Sequence, residues 1–260
     1  MSASPTRIVV TGATGRMGEE LIDAAGDRSD VLVTAAVSRT PGSVTAEAAV
    51  GTHLAAILAD EDDVDAVVDF TAPEATAEYA EIAAEHGVAF VTGTTGLEDH
   101  DADPLGALDA ASESIPVLHA SNFSRGIAAL RGAVREAAAS LPGYDVEVTE
   151  THHNGKRDAP SGTALTLVED VEAERPDLTD RQYGREGEQP RETDEIGVHA
   201  RRAGDVTGEH EVLFAGNRET VSLSHSAGDR GVFAEGALDA AVAVADREPG
   251  RYEFAELLQD

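Results

Sequence analysis

Apolar residues come in short runs, each followed by a glycine-bearing or small-residue turn and then by a segment of helical period. Residues 7–11, Arg-Ile-Val-Val-Thr, predict a buried strand. Gly12-Ala-Thr-Gly15-Arg-Met-Gly18 follows at once, and an amphipathic helix then runs through Leu21, Ile22 and Ala25. Further strands are expected over 31–37 and 64–70, then a helix over 74–86 with Ala80, Ala83 and Ala84 on its buried side. A strand at 88–92, the turn Gly93-Thr-Thr-Gly96, a weak helix at 105–112, a strand at 115–119 and an alanine-rich helix to about 140 complete the series. Strands alternating with helices imply an α/β fold with a doubly wound parallel sheet. In such sheets ligands lie over the carboxyl ends of the strands, so residues 12–18, 38–39, 71, 93–95 and 120–123 are expected to line one crevice.

After Tyr144 the rhythm changes. Residues 146–149 alternate, with Val146 and Val148 on one side and Glu147 and Thr149 on the other. A helix capped by Ser161 runs through Ala164, Leu165, Leu167 and Val168 and gives way near Arg175-Pro176 to a polar stretch reaching about Gly208. Two alternating strands, 211–214 and 220–225, suit an α+β domain on a mixed or antiparallel sheet. An Ala/Val helix over 234–246 then returns to the first domain.

Composition narrows the function classes. Among 260 residues there are 50 acidic and 19 basic side chains, a net charge of −31 that repels nucleic acid and anionic membranes. Strong acidity with 4% aromatics is the composition of disordered chains, but the apolar periodicity is too regular for that. Dense carboxylates with few lysines resemble proteins adapted to concentrated salt. There is no cysteine, which removes disulfides, thiolate metal sites and thiol nucleophiles together. Neither an apolar leader in residues 1–7 nor a membrane-spanning run is present, so a cytoplasmic, soluble protein is expected.

Two stretches carry chemistry. The first is the Gly12–x–x–Gly15–x–x–Gly18 turn between strand and helix, the context of a Rossmann dinucleotide site, where the pyrophosphate rests on a helix N-terminus. The next strand ends at Ser38-Arg39, where an NAD-selective site places an acid; with Arg16, this suits a 2′-phosphate, so NADPH is expected to be preferred over NADH. The second stretch is Glu150-Thr-His-His-Asn-Gly-Lys-Arg-Asp-Ala-Pro-Ser-Gly-Thr-Ala164. A His-His pair alone is more often surface or satisfied core. Here His152, His153 and Lys156 stand beside a helix start whose Gly162 and Thr163 amides make an anion seat, so the combination is a proton-donating site for an acidic substrate. A metal centre is not expected, because adjacent histidines at a strand end point to opposite sides.

With both stretches in hand the chain resembles the dihydrodipicolinate reductase (4-hydroxy-tetrahydrodipicolinate reductase) family. The resemblance rests on residues 12–18, Asp69-Phe-Thr, Gly93-Thr-Thr-Gly96, Asn122-Phe-Ser124 and the long His-His stretch. Arg185-Glu-Gly187, Ile196-Gly197, Arg202-Ala-Gly-Asp-Val-Thr-Gly-Glu-His210 and Arg230-x-x-Phe-Ala-x-Gly236 continue it in family order. It departs at Ser38, where many members carry an acid.

The resemblance implies NAD(P)H-dependent reduction of 4-hydroxy-tetrahydrodipicolinate to tetrahydrodipicolinate in diaminopimelate and lysine biosynthesis. It implies that Gly12, Ala13, Thr14, Gly15, Arg16, Met17, Gly93, Thr94, Thr95, Ala120, Ser121, Asn122 and Phe123 contact the dinucleotide. His152 and Lys156 would be the catalytic pair, and His153, Gly162 and Thr163 would hold the cyclic dicarboxylate. The resemblance also implies a dinucleotide-binding domain of residues 1–124 plus 232–260, and a central domain of residues 125–231 that would bind substrate and build a homotetramer through its sheet. A dianion approaching a −31 surface needs local positives, for which Lys156, Arg157, Arg16, Arg39, Arg202 and Arg230 are the candidates. Two rivals remain at this level: a non-catalytic dinucleotide sensor, which has no need of a proton donor, and a reductase for another small dicarboxylate or imine.

Overall fold

Runs such as Ile8-Val9-Val10 and Ala66-Val67-Val68, fully buried, form the centre of the first sheet. Apolar on both faces, such runs suit a parallel sheet covered by helices on each side. The computed structural model describes residues 4–40, 49–61, 63–98 and 100–257, so the ends of both predicted chain termini (1–3 and 258–260) lie outside the described residues. The chain divides into two units, residues 1–124 with 230–260 and residues 125–229.

The first unit contains β1 (Thr6–Thr11), α1 (Arg16–Gly26), β2 (Val31–Val37), β3 (Ala49–Gly51), α2 (Leu54–Asp60), β4 (Ala66–Asp69), α3 (Pro73–His86), β5 (Ala89–Thr92), α4 (Pro104–Ser112) and β6 (Pro116–His119). After the second unit the chain returns through α7 (Gly231–Val244), β12 (Gly250–Tyr252) and α8 (Phe254–Leu257). The strands form one sheet in the order β12-β6-β5-β4-β1-β2-β3. Every pairing is parallel. This is the doubly wound Rossmann-like architecture that the strand–helix alternation predicts. The return helix α7, rich in Ala and Val, packs on β4, β5, β1, β6 and α1. Gly236 lets it approach: a Cβ there would collide with the Phe123 carbonyl oxygen.

The second unit contains α5 (Arg125–Ser140), β7 (Asp145–His152), α6 (Gly162–Glu174), β8 (Asp180–Tyr183), β9 (Glu195–Arg202), β10 (Gly208–Ala215) and β11 (Thr220–Ala227). Its sheet runs β11-β10-β7-β9-β8. It is mixed: β10 is antiparallel to β11 and β7, while β7–β9 and β8–β9 are parallel. Val146, Val148, Ile196, Val198, Val212 and Phe214 turn one face onto α5 and α6. Asp170 on α6, 5% exposed, clamps the two helices by taking Arg131 at 2.6 Å and Arg135 at 2.7 Å.

Three expectations need correction. The stretch from about 175 to 208, read as polar and irregular, contains β8 and β9. Its charges hid the strands because they find partners: Glu195 takes Arg185 within the stretch, and Glu147 on β7 takes Arg191 and His199. The 49–60 segment adds β3 and α2, which the pattern did not predict. The third and fourth predicted strands are shorter, Ala66–Asp69 and Ala89–Thr92.

Candidate active site

In the first unit the loops at the carboxyl ends of the strands are tied together by side chains. Gly12 adopts a left-handed φ of +75°, and a Cβ there would strike the Phe70 carbonyl oxygen. Gly18 opens the first turn of α1 against the loop, where a Cβ would stand 2.7 Å from the Ala13 Cα. The turn therefore folds back on itself, with the Gly15 amide donating to the Gly12 carbonyl at 2.8 Å. Gly15 and Arg16 are exposed, and the nearest atom to a Cβ at Gly15 would be the Gly12 oxygen at 3.1 Å. A bare backbone at a helix N-terminus fits a dinucleotide pyrophosphate. Thr14 and Ser38 share a hydroxyl–hydroxyl hydrogen bond of 2.7 Å that joins this loop to the end of β2, so Ser38 is buried while Arg39 is exposed.

Asp69 organises the neighbouring strand ends. It is fully buried, and its Oδ1 accepts the hydroxyls of Thr11 (2.7 Å) and Thr71 (2.6 Å). Its Oδ2 accepts those of Thr76 (2.6 Å), Thr92 (2.8 Å) and Thr94 (3.0 Å). Thr94 also accepts the Thr71 amide at 3.1 Å, which fixes the loop after β5 beside the loop after β4. Gly93 is required by space, since a Cβ would enter the Phe70 ring. Ala120 donates to the Thr92 carbonyl at 3.1 Å, bringing residues 120–123 to the same edge. Thr95 and Ser121 are exposed, Ala120 and Asn122 half-buried. Phe123 is 1% exposed, its ring 5.8 Å from Phe70 and 5.2 Å from Phe254, so its side chain belongs to the core.

In the second unit β7 delivers His152 at its last position. Its Nδ1 lies 2.7 Å from Glu150 Oε2. Glu150 is fully buried and accepts Arg202 Nη1 on Oε2 and Nη2 on Oε1, both at 2.8 Å, and the Ser161 amide on Oε1 at 3.0 Å. Burial pushes the Glu150 carboxyl up, but the hydrogen bonds from Arg202 and His152 outweigh it and hold it below the usual carboxylate range. Glu150 is therefore ionised and can only accept, so the His152 Nδ1 carries a hydrogen. Ser161 caps α6, accepting the Ala164 amide at 3.2 Å, and its hydroxyl meets His210 Nε2 at 3.1 Å. The rings of His152 and His210 lie edge to face, 5.2 Å apart. Burial first, then the neighbouring His152, lowers His210 to about 4, so it stays neutral.

Lys156 sits on the connecting turn, its amide donating to the His153 carbonyl at 3.1 Å and its ammonium 2.9 Å from Asp158. Arg202 donates to the Asp158 carbonyl at 2.5 Å, joining the lysine turn to the Glu150 cluster. Gly162 is exposed with open space around it, and Thr163 follows in the first turn of α6. Among the predicted local positives, Arg202 is committed to Glu150, Arg157 is exposed, and Arg230 caps α7 in the other unit.

The family model described as dihydrodipicolinate reductase, N-terminus, matches residues 6–123, and that for the C-terminus matches residues 126–258. The chain belongs to the dihydrodipicolinate reductase family. It is 51% identical to the 4-hydroxy-tetrahydrodipicolinate reductase of Natronomonas pharaonis, covering 96% of this chain and 98% of that one. It is also 51% identical to the enzyme of that name from Haloarcula marismortui, covering 97% and 99%. Among solved structures, dipicolinate-bound dihydrodipicolinate reductase from Paenisporosarcina sp. TG-14 superposes with a TM-score of 0.76 at 23% identity, covering 96% and 97%. The first unit is thus the NAD-binding Rossmann domain of an NAD(P)H-dependent reductase family. Among the described residues no helix is long and apolar enough to cross a membrane.

For this reductase, sequence reasoning missed Glu150, His210 and Asp69 as organisers. One of them left a signal: Glu150 has the parity of Val146 and Val148 and so had to face inward, where a carboxylate needs partners.

Proposed function

We propose that this chain reduces 4-hydroxy-tetrahydrodipicolinate to tetrahydrodipicolinate, a step toward diaminopimelate and lysine, with NADPH preferred over NADH. The observation that carries the reading is the buried Glu150 holding His152 and the start of α6, within a chain matched by both halves of the family. When bound, the reduced nicotinamide supplies a hydride. The residues that would hold it are 12–17, 38–39, 93–95 and 120–123, whose exposed glycine turn and linked strand ends fit a dinucleotide.

The chain's own side chains answer for charge and protons. The substrate ring, once water is lost, carries a conjugated C=C–C=N unit, and hydride addition leaves negative charge that a proton must quench. His152 would donate as the imidazolium: Nδ1–H stays on Glu150, the hydrogen on Nε2 passes to the substrate, and the neutral Nδ1–H ring is left. Lys156 stabilises the developing charge, and the Gly162 and Thr163 amides with His153 hold the carboxylates. The sheet face opposite α5 and α6 is the surface assigned here to homotetramer assembly, and the −31 charge supports work in concentrated salt.

The test follows loss of NADPH absorbance on adding freshly made dihydrodipicolinate synthase product in molar salt. His152→Ala and Lys156→Ala should each lower kcat by about 10²-fold or more while NADPH affinity is kept. Wild-type turnover in either variant would undo its role. The cofactor preference rests on Ser38, Arg39 and Arg16. The ratio of kcat/KM should favour NADPH by about tenfold, and a clear NADH preference would remove it.

A further inference from the structure

We propose that Glu150 and Gly208 are positioning residues for His152, Glu150 locking one ring nitrogen and Gly208 reserving the space at the other. The proposal rests on His152 as the proton donor. An imidazole delivers a proton in one direction only if its ring cannot turn and its other nitrogen is occupied. Glu150 Oε2 occupies Nδ1 at 2.7 Å, and Glu150 itself cannot shift, because Arg202 and the Ser161 amide hold its two oxygens. The ring's flank is closed by His210, 5.2 Å away and fixed by Ser161.

What remains is Nε2, and the strand beside it carries Gly208. This glycine is buried in β10, paired with Ala227, and its φ is not left-handed. It opens β10, and no left-handed turn requires a glycine there. Space does explain it. A Cβ at 208 would stand 3.1 Å from His152 Nε2, 3.5 Å from Cδ2 and 3.9 Å from Cε1. The nearest atom is the nitrogen that has to meet the substrate. A methyl group there would take the room of the proton's acceptor, and the imidazole, anchored at Nδ1, has nowhere to yield. At this first position of β10, glycine is the residue that leaves Nε2 uncovered. Glu150 also reaches the Ser161 amide, so the same carboxylate that aims the donor fixes the N-cap of the helix whose first turn is the carboxylate seat.

The test is a mutant cycle. Gly208→Ala should lower kcat at least about tenfold, with KM and NADPH affinity changed less than about twofold. In a His152→Ala background the same change should alter the residual rate less than about twofold, because the residue acts only through that ring. Glu150→Gln should show the same dependence on His152. An equal loss with and without His152, or a Gly208→Ala enzyme with wild-type kcat, overturns the proposal. If His152→Ala itself kept full turnover, the donor assignment would fall first, a result visible before Gly208 is touched. A readout free of folding is the ring tautomer in the wild-type protein. Nitrogen-15 spectra of the histidines, with His152 assigned by its loss in His152→Ala, should show the neutral ring as Nδ1–H. A ring carrying its hydrogen on Nε2 would overturn the role given to Glu150.

Discussion

Glu150 and His210 show how a buried polar residue on a strand is decided by its partners. Glu150 faces the apolar side of β7 and is tolerated there because four donors meet its two oxygens. His210, one strand over in register with Glu150, has only Ser161 on Nε2, while its Nδ1 is buried without a hydrogen bond. Its titration, lowered from 6.5 to about 4, makes a stability prediction. Between those values the unfolded chain binds a proton that the folded chain refuses. Stability is thus complete above pH 6.5 and is lost as pH falls toward 4, by about 2 kcal/mol between pH 7 and pH 5. Urea denaturation at those two pH values should show wild type losing about 2 kcal/mol more than His210→Gln; equal losses would mean that His210 does not titrate this way. At this scale the sequence disclosed the loop of the candidate site, because two histidines, a lysine and a capped helix start are adjacent in the chain. It disclosed less of the support, because Glu150, Arg202 and His210 meet only through strand pairing.

At the scale of elements the same contrast holds. The parallel sheet was legible because β1, β2, β4, β5 and β6 are apolar runs with helices between them. β8 and β9 were not, since Asp-Arg-Gln-Tyr and the His-Ala-Arg-Arg end of β9 put charge where a pattern reader expects loop. Asp69 is the residue that converts separate strands into one edge. Its two oxygens bind hydroxyls from β1, from the loop after β4, from α3, from β5 and from the loop after β5. Replacing it by Asn removes the charge and turns one acceptor into a donor facing hydroxyls that already donate. Asp69→Asn is expected to cost about 2–4 kcal/mol in urea denaturation, with weaker NADPH binding because the loops at residues 12–18 and 93–95 lose their common anchor. A loss below about 0.5 kcal/mol with unchanged NADPH affinity would show that the threonines hold the edge without it.

At the scale of the whole molecule, the excess of 50 acidic over 19 basic side chains has to be reconciled with a dianionic substrate. Many of the cations are already engaged: Arg202 by Glu150, Arg131 and Arg135 by Asp170, Arg175 by Asp177, and Arg28 by Asp30 and Asp239. The unpaired carboxylates repel one another and repel the substrate at long range, whereas Lys156 and the α6 amides, in the role proposed for them, attract it only at contact. Salt separates the two effects, since screening acts first on distant exposed charges, with a Debye length of about 3 Å at 1 M against about 10 Å at 0.1 M. Raising KCl from about 0.05 M to about 1 M should therefore raise the melting temperature by about 4 °C or more, a stabilisation of roughly 1–2 kcal/mol for a chain of this size. KM for the dicarboxylate should fall over the same range while kcat changes little, because Glu150, the partner of the proposed donor His152, is buried and screened weakly. A melting temperature independent of salt would mean that the acidic surface carries no folding penalty. A KM that rose with salt would mean that the local positives, rather than the distant carboxylates, govern the substrate's approach.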